Sequence, residues 1–233
     1  MSYRLKEVFH TLQGEGLNAG RSAVFARFSG CNLWSGREEH RETAVCQFCD
    51  TDFVGTDGPG GGVFSDAEAF ARAVRKCWDE AAAVGSTTAR GAGGAERSAI
   101  GLVVCTGGEP LLQLDSRAIR ALHSQHMEIA IETNGTIPLP DFSASGERGI
   151  DWVCVSPKTG SEVVVRSGDE LKLIYPQAGS EPEMFEDWDF EHFLLQPMDG
   201  PALAENSSLA VAYCKAHPLW RLSVQTHKYL GIP

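Results

Sequence analysis

The chain has 233 residues, enough for one large domain with a buried core. Apolar residues make up 42 %, no run reaches the length of a membrane span, and the start MSYRLKEVFH has neither a signal-peptide nor a transit pattern, so a cytoplasmic protein is expected. A net charge of −11 argues against nucleic-acid and anionic-membrane surfaces, which need a basic footprint, but leaves room for a small anion held by one or two placed cations.

In chain order, Arg4 to Thr11 and Val24 to Phe28 read as strands joined by a turn-rich stretch holding Gly14, Gly16, Asn18 and Gly20. Cys31 follows the second strand; Cys46 and Cys49 come after fourteen residues (32–45) and then two (47–48). Residues 55–62 read as a glycine-rich loop. Ser65-x-x-Glu68 reads as a capping box opening a helix to about Val84, and Gly85 to Ser98, rich in Gly, Ala, Ser and Thr, as a flexible insertion. A buried strand (Ile100–Cys105) precedes a helix from about Asp115 to His126 and a strand (Glu128–Ile131). Strands at Trp152–Val155, Glu170–Ile174 and His192–Leu195 follow, then a helix (Ala202–His217) and a last strand (Leu219–Val224).

Strands alternating with helices predict a parallel α/β sheet. Too few helices lie between Trp152 and Leu195 to complete an eight-fold TIM barrel, so an incomplete, open barrel is expected. One domain over 1–233 is anticipated, with insertions at 32–45 and 85–98 and no internal repeat. Polar motifs recur just after strand C-termini, where parallel sheets and barrels place their active sites.

Three clustered cysteines in a protein of this size read as metal or redox ligands rather than disulfides. Three thiolates are one short of a closed structural site, and they suit a four-iron cluster with one corner left open. A zinc knuckle with His40 as fourth ligand beside Cys31, Cys46 and Cys49 is the plain alternative. Cys77, Cys105, Cys154 and Cys214 lie on apolar faces and read as buried small hydrophobes. Read singly, Thr106–Pro110 is a tight turn, Glu132-Thr133-Asn134-Gly135 a strand end with an Asn-Gly turn, and Thr51 a cap or turn group.

Together and in this order the motifs are more specific. They are Phe9-His10-Thr11-Leu12-Gln13-Gly14-Glu15-Gly16, Arg27-Phe28-Ser29-Gly30-Cys31, Cys46-x-x-Cys49-Asp50-Thr51, Thr106-Gly107-Gly108-Glu109-Pro110, Glu132-Thr133-Asn134-Gly135, Ser156-Pro157-Lys158, and Gln225 with His227-Lys228. The chain thereby resembles the radical S-adenosylmethionine (SAM) enzymes. Their usual first cysteine gap is three residues, and the expansion to fourteen resembles one branch, the 7-carboxy-7-deazaguanine synthases of the queuosine pathway.

That resemblance implies a [4Fe–4S] cluster on Cys31, Cys46 and Cys49 and Mg²⁺ on Thr51. It implies SAM contacts from Phe48, Cys49, Asp50, Gly108, Glu132, Ser156, Pro157, Lys158, Gln196, Pro197, Met198 and Asp199. The substrate side would be Leu12, Gln13, Gly14, Glu15, Arg27, Thr106 and Pro233, with Arg27 pairing a carboxylate and Gln13 and Glu15 reading a pterin edge. The implied reaction starts with a 5′-deoxyadenosyl radical taking hydrogen from 6-carboxy-5,6,7,8-tetrahydropterin; ring contraction and loss of ammonia follow. Mg²⁺, a hard ion that wants oxygen ligands, would bind together with substrate. A flavodoxin- or ferredoxin-like reductant and a homodimer are implied as partners. A glycyl-radical-activating enzyme would share the scaffold but needs an open groove for a protein loop.

Overall fold

The computed structural model describes residues 1–86 and 100–233. Among them, nine strands form a single sheet: β1 (Tyr3–Leu12), β2 (Ser22–Phe28), β3 (Gly62–Phe64), β4 (Gly101–Gly107), β5 (Met127–Thr133), β6 (Trp152–Val155), β7 (Ser167–Tyr175), β8 (Asp189–Pro197) and β9 (Trp220–Leu222). Their order is β3-β1-β2-β4-β5-β6-β7-β8-β9. From β2 through β4 to β9 every neighbouring pair is parallel; β1 runs antiparallel to both β2 and β3. Among the described residues the sheet does not close, with β3 and β9 at its two edges. This is the partial, TIM-like barrel anticipated from the shortage of helices.

The helices are α1 (Ala67–Ser86), α2 (Ser116–Ser124), α3 (Leu203–Ala216) and the short α4 (Thr226–Leu230). α1, α2 and α3 cover the outer face, which carries the main core. Val24, Ala26 and Phe28 of β2, Val103 and Cys105 of β4, and Leu171 and Leu173 of β7 belong to one buried apolar cluster with Phe70, Val74, Ile119 and Leu122 of the helices. Phe28, Phe70, Ile119 and Leu122 are completely buried, and each such side chain contributes about 1.5–3 kcal/mol of apolar burial. Strand side chains alternate between faces, so the partners of these residues point inward. There the lower lining is a small apolar patch of Ala23, Leu102, Val104 and Ala130, while Thr106, Glu132, Lys172 and Gln196 face the interior nearer the strand C-termini.

Four expectations shift. α1 is capped by Asp66, whose Oδ1 accepts from the Ala69 amide at 2.8 Å, one residue beyond the Ser65 expected to open it. A carboxylate one position nearer the helix meets the third free amide directly, while Ser65 donates its hydroxyl to Asp66. α1 also continues through Gly85 and Ser86; the rest of the expected insertion, residues 87–98, lies outside the described residues. The glycine-rich loop ends in strand β3, which pairs with Tyr3–Leu5. Cys154 is buried on the inner face, where its thiol donates to Glu170 Oε1 at 3.3 Å, so it is not a purely apolar filler.

Candidate active site

Parallel pairing brings the C-terminal ends of β2, β4, β5, β6, β7 and β8 to one rim: Phe28 aligns with Gly107, Thr133 with Val155, and Tyr175 with Pro197. The loops leaving these ends surround a cavity of about 360 Å³. Cys31, Cys46, Phe48, Cys49, Asp50 and Thr51 line one side of it; Gly108, Ser156, Lys158, Gln196, Pro197, Met198 and Asp199 line the rim. Leu12, Gln13, Gly14, Glu15, Arg27, Thr106, Glu132 and Pro233 complete the wall and floor. Of the residues expected at the site, Pro157 alone does not face the cavity; it is buried behind the rim, and its carbonyl accepts from Gln177 at 3.3 Å.

The Gly-Gly turn after β4 lies directly against the loop that carries Cys31. Gly108 N–H donates to Phe28 O at 3.2 Å, and Glu109 N–H to Gly30 O at 2.9 Å. A Cβ on Gly108 would stand 2.0 Å from Gly30 O and 2.9 Å from Cys31 Cβ, and Gly107 has φ +130°, so both positions require glycine. Glu109 points away from the cavity. Its carboxylate accepts from the amides of Leu111 and Asn134 and the hydroxyl of Thr133, tying the Gly-Gly loop to the loop after β5. Burial raises its pKa despite these donors. The Asn134 amide group donates to Asn32 and its oxygen accepts from Thr136, so this side chain joins rim loops.

The thiols of Cys46 and Cys49 interact: the hydrogen bond between them pushes Cys46 up and holds Cys49 down at about 6. Burial raises the Cys31 thiol, opposed by the amides of Leu33 and Trp34. Lys158 is anchored on Ser156, its Nζ donating to the carbonyl at 2.8 Å and to Oγ at 2.6 Å. Burial lowers its pKa, and the nearby Cys46 works against that shift.

The floor is a polar network made by the β1–β2 loop reaching into the sheet. Lys172, only 5 % exposed, donates from Nζ to Glu15 Oε2 at 2.5 Å and approaches Glu132 Oε1 at 3.3 Å. Gln13 donates to Glu132 at 3.1 Å and accepts from the Glu15 amide at 3.0 Å; Thr106 Oγ1 donates to Glu132 Oε2 at 3.1 Å. Gln225 donates to Glu15 at 2.9 Å. Burial alone would raise the Glu15 pKa, but the charge of Lys172 and these donors outweigh it and hold Glu15 at about 2. Arg27 pairs with Glu7 at 2.7 Å across the β1–β2 ladder, and its guanidinium lies 5.9 Å from the Phe9 ring centre. At the mouth, Lys228 of α4 bridges Asp50 at 2.7 Å and Asp199 at 2.5 Å.

Sequence reasoning singled out neither Lys172 nor Glu7. For Lys172 a signal was present, since Glu170 and Lys172 stand two apart on β7 and so share a face; Glu7 lies next to Lys6 in a strand of mixed polarity and shows no such pattern.

The zinc knuckle is not supported. His40 Nδ1 pairs with Ser35 Oγ at 2.8 Å on the surface. Among the described residues, no three His, Cys, Asp or Glu side chains gather round a point one ion could fill. An iron–sulfur cluster takes thiolates at separate corners, so Cys31, Cys46 and Cys49, sharing one cavity wall beside a glycine cradle, fit such a group where they do not fit a single ion.

An open, mostly parallel barrel with three cysteines and a Gly-Gly edge at its C-terminal rim is the architecture of the radical SAM enzymes. The chain is 58 % identical to the 7-carboxy-7-deazaguanine synthase of Caulobacter vibrioides and 56 % identical to that of Bordetella pertussis, each over 233 residues and the full length of both proteins. Its structure matches the crystal structure of QueE from Escherichia coli with a TM-score of 0.64 at 26 % identity, covering 97 % of this chain and 95 % of that one. No family model matches the chain. At this identity over the whole length, the chain belongs to the 7-carboxy-7-deazaguanine synthase family.

Proposed function

We propose that this chain converts 6-carboxy-5,6,7,8-tetrahydropterin to 7-carboxy-7-deazaguanine, with loss of ammonia, in the queuosine pathway. The observation that carries this reading is that Cys31, Cys46 and Cys49, the Gly108 edge and the Glu15–Lys172 floor all face one cavity, in a chain of this family. Cys31, Cys46 and Cys49 would hold a four-iron cluster, which would supply reductive cleavage of SAM and through it hydrogen abstraction from substrate.

The protein's part is orientation, charge and exclusion of water. Gly108 offers exposed backbone to the amino-acid end of SAM. Phe48, Asp50, Glu132, Ser156, Lys158 and the run from Gln196 to Asp199 surround the rest. Glu15, kept ionised by Lys172, accepts from the amine of the pterin ring, and Gln13, Leu12, Gly14 and Thr106 complete that end. Arg27 meets the substrate carboxylate with Pro233 nearby, and Thr51 offers an oxygen to Mg²⁺ bound with it. A cavity of this size, capped by Lys228, suits small molecules and not the protein loop an activase must admit.

With this reading go a single functional unit over the whole chain, a cytoplasmic location, a flavodoxin- or ferredoxin-like reductant and a homodimer. Among the described residues, no helix is long and apolar enough to cross a membrane.

The test is anaerobic turnover of the carboxytetrahydropterin with SAM, Mg²⁺ and reductant, followed by mass detection of the deazapurine. Product is expected from the native chain and none from Cys31→Ala, Cys46→Ala or Cys49→Ala. Turnover by any of the three alanine variants would end the proposal.

A further inference from the structure

The stretch between Cys31 and Cys46 contains a side chain that grips the Cys46–Cys49 turn from outside. Arg41 sits in a short 3-10 helix, Glu38–Thr43. Its Nη1 donates to the carbonyl of Gln47 at 2.8 Å and to that of Cys49 at 3.1 Å, so one guanidinium nitrogen joins two carbonyls of the turn. The rest of the guanidinium is held on both sides. Nε and Nη2 pair with the Glu38 carboxylate at 2.7 and 2.5 Å, and its plane stands 4.1 Å from the Trp34 ring centre.

Trp34 is in turn an anchor. It is 7 % exposed, packs edge-on to the buried Phe53 with ring centres 5.6 Å apart, and donates from Nε1 to Arg37 O at 3.2 Å. The start of the turn is tied to the same stretch, with the amides of Val45 and Cys46 both directed at Leu33 O. A continuous path therefore runs from the core through Phe53, Trp34 and Arg41 to the backbone that aims two thiols.

We propose that Arg41 is a positioning residue for the iron–sulfur cluster, fixing the Cys46–Cys49 turn through its carbonyls and placing a permanent positive charge beside it. The inference rests on the reading that these thiols hold a cluster. The Arg41–Glu38 pair alone is an i,i+3 surface contact, a kind worth little. The consequence lies in the two carbonyl contacts of Nη1, whose direction is fixed because the other guanidinium nitrogens are held by Glu38 and its face by Trp34, a set of restraints that lysine cannot reproduce. Cluster potential responds to local charge and hydrogen bonding.

The experiment uses the full chain and its Arg41→Gln and Arg41→Lys variants, reconstituted anaerobically. It measures iron and sulfide per chain, the rate of cluster loss to excess chelator, the midpoint potential, and the apo-protein melting temperature. Arg41→Gln is expected to lose cluster about tenfold faster, as the loss of charge-assisted bonds implies, with a potential shifted to more negative values. Arg41→Lys is expected to keep the potential while losing part of the retention, and both apo-proteins to melt with the native chain. Native retention and potential in Arg41→Gln would overturn the inference; so would an apo melting temperature that falls in step with retention, since Arg41 would then serve general stability. Failure of the native chain to take up a four-iron cluster would instead overturn the reading beneath it.

Discussion

Lys172 is a buried cation between two carboxylates, and its meaning lies in what it does to Glu15. Burial disfavours the charge on Lys172, but Glu132 and Glu15 overcompensate and raise its pKa well above the ordinary lysine value. Glu15 is correspondingly held at about 2, so the pair is ionised throughout the neutral range. In Lys172→Met the first effect to surface is the desolvation of Glu15, which raises its pKa. Glu15 then gains a proton as pH falls toward neutrality, and a protonated carboxyl is a poorer acceptor for a ring amine. The KM for the carboxytetrahydropterin is expected to rise about tenfold at pH 7 and to recover as pH is raised, while the native KM stays flat over the same range. Steady-state kinetics from pH 6 to 9 checks this; a KM change independent of pH would show that Lys172 acts only as packing. The run Glu170-Leu171-Lys172-Leu173 alternates polar and apolar residues, which marks one face as an ionic interior. The motif residues were easier to see because their spacing along the chain is fixed, whereas Lys172 meets Glu15 only through the fold.

The working parts are loops at strand ends, each held by the one beside it. Glu109 ties the β4 loop to the β5 loop, and the Gly108 amide rests on β2. Gly108→Ala would drive a methyl group into the Gly30 carbonyl, which is backbone and cannot swing aside. Overpacking of this kind costs about 1–3 kcal/mol, which lowers Tm by several degrees, roughly 2–4 °C per kcal/mol in a chain of this size. SAM binding, followed by calorimetry, is expected to be lost even where the variant is folded; native SAM affinity would mean that this edge does not carry the cofactor.

Element order and the open barrel were legible because parallel strands keep apolar cores and βα spacing. The parts that escaped lack such periodicity. β3 is three residues starting at a glycine, and α4 is five residues with none buried, so each forms only because a neighbour is already in place. Residues 32–45 escaped in a different way: a Trp34–Arg41 stack within a polar stretch has no pattern in sequence, only in space.

An open barrel leaves its interior exposed to water between its free edges, and the segment after β9 answers this by crossing back to the opposite side of the molecule. Thr226 donates from N and Oγ1 to Gly14 O at 2.9 and 2.8 Å, and Thr11 Oγ1 donates to Pro233 O at 2.9 Å. Lys228 meanwhile joins the loop after Cys49 to the loop after β8. Because α4 buries no side chain, its contribution to folding is limited to these polar contacts, and deletion of residues 226–233 is expected to lower stability by about 1 kcal/mol. Its effect on ligand holding is expected to be larger. With the Lys228 bridge and the cap on Gly14 gone, the KM for SAM and for substrate should both rise about tenfold or more, the scale of charge-assisted contacts near a partly dry site. Calorimetric melting of the apo-protein together with the two KM values separates these effects. A truncated chain that melts like the native one and keeps both KM values would show that the crossing segment is an ornament of the surface and that the barrel shields its chemistry by other means.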